Sequence, residues 1–262
     1  MISLEKITAE VITVARDAGR FILEERASFD PSKVQYKGKS DLVSYVDKEA
    51  EKMIVGALQF LIPESGFITE EDTANRTDKE YTWIIDPLDG TTNFVHNLPP
   101  FSVSIALMHN DRLVSGVIHE VTRNETFYAT KDRGSFMNDK AIQVTQVTTI
   151  NESLFATGFP IHNFSKIEDY LAILNELMKN SHGLRRQGSA AVDLAYVACG
   201  RYEGFFEYNL NPWDVAAGIL IVQEAGGMVT DFSGGGNALF GREIVAASAV
   251  HHELIAIIKK HW

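Results

Sequence analysis

Cysteine is almost absent from this chain: among 262 residues there is one, Cys199. An intramolecular disulfide is excluded, and the usage fits a reducing, cytoplasmic setting. Cys199 lies in Ala195-Tyr196-Val197-Ala198-Cys199-Gly200, the context of a buried helical thiol rather than a nucleophile. Long apolar runs are missing too. Nothing approaches the ~18 residues of a membrane span, and Met1-Ile2-Ser3-Leu4-Glu5-Lys6 lacks the apolar core of a signal peptide. No membrane association is expected. Basic residues are few, 24 Lys and Arg against 35 Asp and Glu, for a net charge of −11. Without a basic stripe to neutralise phosphates, no nucleic-acid partner is expected. His and Cys never show zinc spacing; His251 and His252 are adjacent and read as surface residues. There is no Gly-x-Ser-x-Gly elbow, which argues against a serine hydrolase. Gly38-Lys39-Ser40 imitates the end of a Walker A loop, but Lys33 stands where its first Gly belongs. Gly234-Gly235-Gly236 reads as a turn. Repeats and low-complexity linkers are also missing.

What is present is a chain long enough to bury a substantial core. Leu4, Ile7, Val11, Val14, Ala18 and Phe21 recur at helical spacing and predict a first helix to about Arg26, broken by Asp30-Pro31-Ser32. Residues 34–40 are polar and read as a turn, where Lys37 or Lys39 either reaches a site or stays on the surface. Val46, Met53, Ala57, Leu58 and Leu61 mark a second helix, ended by Pro63. A short strand is expected at 66–69, and a meander from Trp83 to about Asn138 with a turn at 109–112. Beyond it, strands at 154–157, 202–208 and 244–248 alternate with helices at 167–178, 189–199, 213–225 and 251–260, Gly200 closing the second of these. The blocks imply a layered α+β protein. We read residues 1–262 as a single domain with subdomains of approximately 1–145 and 146–262.

The chemistry concentrates in Asp86-Pro87-Leu88-Asp89-Gly90-Thr91-Thr92, at the end of the apolar run Tyr81-Thr82-Trp83-Ile84-Ile85. A turn explains one Asp, but not two carboxylates after a buried strand with Gly-Thr-Thr appended. Glu70 follows the short strand at 66–69, and Asp214 opens a helix after Asn211-Pro212-Trp213. Taken alone, Asp214 is a helix N-terminal residue and Glu70-Glu71-Asp72 a solvated loop. Together they are costly. Two carboxylates ~4 Å apart repel by ~4 kcal/mol at an effective dielectric near 20, against a total stability of ~5–15 kcal/mol. Such a cluster protonates or binds a cation, and all-oxygen ligands select a hard ion, Mg²⁺ if water and phosphate complete the shell.

Glu70-Glu71, the run Asp86 to Phe94, and Trp213-Asp214-Val215-Ala216-Ala217-Gly218 resemble the signature segments of the inositol monophosphatase family. Residues 156–160, 186–191 and 223–227 resemble its bacterial members, and the likeness runs over essentially the whole chain. The resemblance implies a layered αβαβα sandwich of the inositol monophosphatase and fructose-1,6-bisphosphatase type, usually a homodimer. It also implies Mg²⁺-dependent hydrolysis of phosphate monoesters, with two or three ions per site and sensitivity to lithium. By position, Glu70, Asp86, Asp89 and Asp214 match the metal carboxylates, and Leu88 the residue that lends its backbone carbonyl. Thr91 and Asp47, with Glu70, match the groups that position and activate the attacking water. Gly90 and Thr91 match the backbone donors to phosphate, as suits a helix start. Gly188, Ser189, Ala190 and Glu207, with Asp89 and Asp214, match the wall around the substrate's hydroxyls. This chain has Thr69 where Gly often precedes the Glu pair, and Thr157-Gly158-Phe159 where animal members carry a Ser.

The expected substrate is a small phosphorylated polyol, myo-inositol monophosphate first. Fructose 1,6-bisphosphate, NADP and 3′-phosphoadenosine phosphates are alternatives for the same chemistry. A different class of function is a regulatory protein that keeps the fold and acts through a partner.

Overall fold

Apolar residues at helical spacing build the N-terminal layer. Helix α1 (Leu4–Ala27) is capped by Ser3, whose hydroxyl accepts from the Lys6 N–H at 3.4 Å, and buries Ile7, Val11, Ala15, Ala18 and Ile22. The computed structural model describes residues 3–29, 35–38, 41–43, 45–74, 79–160 and 163–262. The stretch read as a turn instead carries strand β1 (Gln35–Gly38), paired antiparallel with β2 (Asp41–Val43). The expected break at Asp30-Pro31-Ser32 and the reading of Lys39 lie outside the described residues, as does the side chain of Lys37. Helix α2 (Tyr45–Leu61) packs beside α1 through Val46, Ala50, Ile54 and Leu58.

Next come β3 (Gly66–Thr69), β4 (Tyr81–Asp89), the one-turn helix α3 (Thr91–Val95), β5 (Ser102–His109), β6 (Arg112–Glu120), β7 (Glu125–Thr130), β8 (Ser135–Met137) and β9 (Lys140–Ile142). These strands form one sheet in chain order, with β3 and β4 parallel and every other pair antiparallel. The expected turn after β5 is there: Asn110 and Asp111 take φ of 46° and 61°, the left-handed region such residues tolerate.

The second half runs β10 (Leu154–Thr157), α4 (Ile167–Asn180), β11 (Gly183–Arg185), α5 (Ala190–Ala198), β12 (Gly204–Tyr208), α6 (Pro212–Glu224), β13 (Met228–Thr230), β14 (Glu243–Ala247) and α7 (His251–His261). Its sheet has the order β11-β10-β12-β14-β13. Helices α1 and α2 cover the outer face of the first sheet, α5 and α6 lie between the sheets, and α4 and α7 cover the second. This is the expected αβαβα sandwich. Every residue of α5 is buried, as is α6 from Val215 to Val222, because a helix between two sheets has no solvent face.

Two readings are corrected. His251 is buried, with Nε2 3.0 Å from Thr230 Oγ1; only His252 is exposed. Cys199 is the half-buried C-cap of α5, and Gly200 follows it at φ +74°. No described helix is long and apolar enough to cross a membrane.

Candidate active site

Strand β4 carries the centre of the site, and its register explains why both its aspartates share it. Asp86 pairs with Ser104 and Asp89 with Ser102, so three steps on β4 match two on β5. Residues an odd number apart on a regular strand face opposite ways; the extra residue of a bulge restores the same face. Pro87 sits in that bulge, where a missing N–H does no harm. Asp86 Oδ1 accepts from the Leu88 N–H at 2.9 Å, folding the chain so that the Leu88 side chain is fully buried.

Gly90 ends the strand at φ +95° and caps α3. A Cβ there would stand 3.1 Å from both the Gly188 and Pro100 carbonyl oxygens, so only glycine fits the conformation and the space. Thr91 Oγ1 lies 2.8 Å from Asp47 Oδ1 and 3.0 Å from the Leu88 carbonyl oxygen. Its single proton serves one of these at a time. Asp47 is buried at the start of α2, 1% exposed, behind Thr91 rather than on the cavity surface.

A cavity of about 180 Å³ opens over this turn. Glu70, Asp86, Leu88, Asp89, Gly90, Thr91, Gly188, Ser189, Ala190, Glu207 and Asp214 all line it, so every residue singled out from the sequence except Asp47 meets there. Glu70 comes from the end of β3, Glu207 from β12 and Asp214 from the first turn of α6. Asp214 Oδ2 accepts from the Asn211 N–H at 2.6 Å, a capping box that fixes the carboxylate. Asp214 is thus the helix N-terminal residue that the sequence suggests, and it also lines the cavity. Asp89 Oδ2 accepts from Ser189 Oγ at 2.6 Å and from the Ala191 N–H at 2.7 Å, so Asp89 is seated on the N-terminus of α5. Ser189 Oγ also accepts from the Val192 N–H at 3.3 Å as the cap of that helix. Asn93 ties the two walls, donating through Nδ2 to the Pro100 carbonyl at 2.7 Å and the Gln187 carbonyl at 2.8 Å.

The electrostatics are those of crowded acids. Burial, then repulsion from Glu70, Asp89 and Asp214, raises the Asp86 carboxyl well above its usual range. Burial pushes Asp89 up to about 6, opposed by its bonds from Ser189 and α5 and by Arg186. Glu207 is raised by burial and by Asp214. Among the described residues, no three His, Cys, Asp or Glu side chains are drawn close enough onto one point to hold an ion as they stand.

Gly158 backs the Glu207 wall so closely that a Cβ would fall 2.0 Å from its carboxylate atoms. Phe159, 48% exposed, flanks the opening beneath the Arg186 guanidinium, 5.8 Å from the ring centre. The sequence reading missed Asp193, a buried acid of α5 that also lines the cavity. The signal was available: it is the one charged residue in Ala190-Ala191-Val192-Asp193-Leu194-Ala195-Tyr196-Val197-Ala198.

Comparison with known proteins bears on the family and the fold. A protein named putative Nus factor SuhB from Neisseria meningitidis serogroup B is 42% identical over 249 residues, spanning 94% of this chain and 95% of its own. The crystal structure of the extragenic suppressor protein suhB from Bartonella henselae superposes with a TM-score of 0.92 at 39% identity, covering 98% of this chain and all of that one. Inositol monophosphatase from Anabaena gives 0.88 at 31% identity, with 100% and 98% coverage. The pattern of the inositol monophosphatase family matches residues 3–262. The chain belongs to the inositol monophosphatase family.

Proposed function

We propose that this protein is a Mg²⁺-dependent phosphomonoesterase acting on a small polyol monophosphate, with myo-inositol monophosphate the first candidate. The observation that carries the reading is the bulge in β4, which turns Asp86 and Asp89 onto one face, in the cavity lined by Glu70 and Asp214. The donor set is all oxygen, and its acids suppress one another's ionisation, as expected of a site built for a hard cation. Glu70, Asp86, the Leu88 carbonyl, Asp89 and Asp214 would hold two or three Mg²⁺. When bound, they supply a Lewis acid for the phosphate oxygens and lower the pKa of water.

The chain's own residues do the positioning. With its proton donated to Asp47, Thr91 Oγ1 keeps lone pairs that accept from a water and aim it at phosphorus. Glu70, which lines the same cavity, would take the proton that this water gives up. The Gly90 and Thr91 N–H groups would donate to the phosphate, although α3 is a single turn and its dipole adds little. Gly188, Ser189, Ala190 and Glu207 wall the alcohol portion. A volume of about 180 Å³ is below the ~300–1,000 Å³ of drug-sized sites, which favours a small polyol over NADP or a nucleotide bisphosphate. The reading takes residues 1–262 as one catalytic domain and the active form as a cytoplasmic homodimer.

The test is phosphate release from myo-inositol 1-phosphate and a panel of sugar and nucleotide phosphates, with Mg²⁺, with chelator and with added Li⁺. Turnover that needs Mg²⁺, falls with Li⁺ and is lost in Asp214→Asn supports the reading; an Asp214→Asn protein with normal turnover sinks it. A second reading rests on the name Nus factor carried by relatives. It points to a role beside the transcription machinery and conflicts in part with the expectation of no nucleic-acid partner. Co-purification of the machinery with catalytically dead Asp214→Asn would support it.

A further inference from the structure

Asp193 is the cavity acid to which the proposed chemistry gives no task. It stands in α5 between Val192 and Leu194, 1% exposed, where helix packing alone would place an apolar residue. Its Oδ1 is buried without a hydrogen-bond partner among the described residues. Its charged surroundings are Glu207 and Asp89, which repel it, and Arg186, which attracts it from the exposed rim. Buried polar groups in native structures find partners in protein, ordered water or a bound molecule, and Asp193 lines the cavity where such a molecule would sit.

We propose that Asp193 is a specificity-determining residue which, with Glu207, reads two hydroxyls of the substrate's alcohol portion. This rests on the phosphomonoesterase reading above and names its substrate class: phosphate esters of polyols with neighbouring free hydroxyls. Asp193 approaches from α5 and Glu207 from β12, both lining the same cavity. A hydroxyl both donates and accepts, so it satisfies these carboxyls whether or not they carry a proton. A second phosphate or carboxylate on the ligand would meet two acids and be repelled, which weighs against bisphosphates at this wall.

The experiment compares wild type, Asp193→Leu, Asp193→Ala and Asp193→Asn on myo-inositol 1-phosphate and on p-nitrophenyl phosphate, whose leaving group has no further hydroxyl. Asp193→Leu and Asp193→Ala are expected to raise KM for the inositol ester about tenfold with kcat within twofold. KM for the aryl ester stays unchanged, and Asp193→Asn, which keeps a hydrogen-bonding head, stays near wild type. If Asp193→Leu does not fold, judged by its melting curve, Asp193→Ala carries the same comparison. A KM that moves equally on both substrates, or on neither, overturns the role of Asp193 while leaving the phosphatase reading intact. Wild type inert toward both esters overturns the phosphatase reading and this inference with it.

Discussion

Neutralising Asp89 should stabilise the metal-free protein at neutral pH and should not do so in acid. Burial pushes this carboxyl up to about 6 from an ordinary 3.8, even after the opposing bonds from Ser189 and α5. The difference, about 6 less 3.8, is worth ~3 kcal/mol at roughly 1.36 kcal/mol per pKa step. Asp89 is half-buried by exposed surface, so that figure is a ceiling. The sign follows from proton counting. Below pH ~3.8 both folded and unfolded chains hold the proton and the site costs nothing. As pH rises the unfolded chain ionises first, and the folded chain follows only near 6. The folded state is therefore penalised progressively between ~3.8 and 6, and fully above that.

Asp89→Asn removes the penalty and keeps a carbonyl for the Ser189 and Ala191 donors, losing ~1 kcal/mol of charge-assisted strength. The net gain is up to ~2 kcal/mol at pH 7.5, or about 4–8 °C at ~2–4 °C per kcal/mol for a chain of this size. The assay is a calorimetric melt of both proteins in chelator from pH 4 to 8, repeated with millimolar Mg²⁺. The variant should melt higher at pH 7.5, with the gap gone near pH 4, and Mg²⁺ should raise wild type far more than the variant. An Asn variant that melts lower than wild type by the same margin at every pH would refute the argument.

Thr91→Val should keep the fold and lower kcat by about 10²-fold or more, since on the proposed mechanism it removes the group that aims the water; Thr91→Ser should recover most of the activity in a phosphate-release assay. Gly158→Ala should raise KM for a polyol phosphate with little change for p-nitrophenyl phosphate, because its Cβ must push the Glu207 carboxylate off a 2.0 Å overlap. Asn93→Ala, which strips the Pro100 and Gln187 carbonyls of their shared donor, should cost about 1–3 kcal/mol in a urea melt.

The helices and long strands were legible because each buries one face or both, and burial writes a period into the sequence. The Asp86 turn stood out because two acids follow a buried strand, whereas Glu70 and Asp214 each have an ordinary local reading, a loop and a helix start, and joined it only through the family resemblance. Short strands were not: β8, β9, β11 and β13 have three residues each, too few to show an alternation. His251 was misread because adjacency to His252 suggested surface, whereas the start of α7 turns one ring inward to Thr230. Asp193 was passed over for a different reason. A charge in an apolar helix is conspicuous, but only the start of that helix, Ser189 and Ala190, was read as part of the wall, and Asp193 lies one turn further on.

The bulge in β4 shows how closely fold and site are joined. A regular strand would place Asp86 and Asp89 on opposite faces, one toward α2 and the other toward α6, and the cluster would not exist. The register shift costs one unpaired residue, and Pro87, which could not have donated anyway, marks the place. Asp89 then caps α5 and Asp214 caps α6, so two helix N-termini that the sandwich already needs become the means of aiming two carboxylates. These acids stay charged or protonated according to what lies between them. A substitution that keeps both carboxylates and removes a donor that seats one of them, such as Ser189→Ala beside Asp89, should therefore loosen the fold and blunt cation binding together, whereas one at Asp193 should alter only the choice of alcohol.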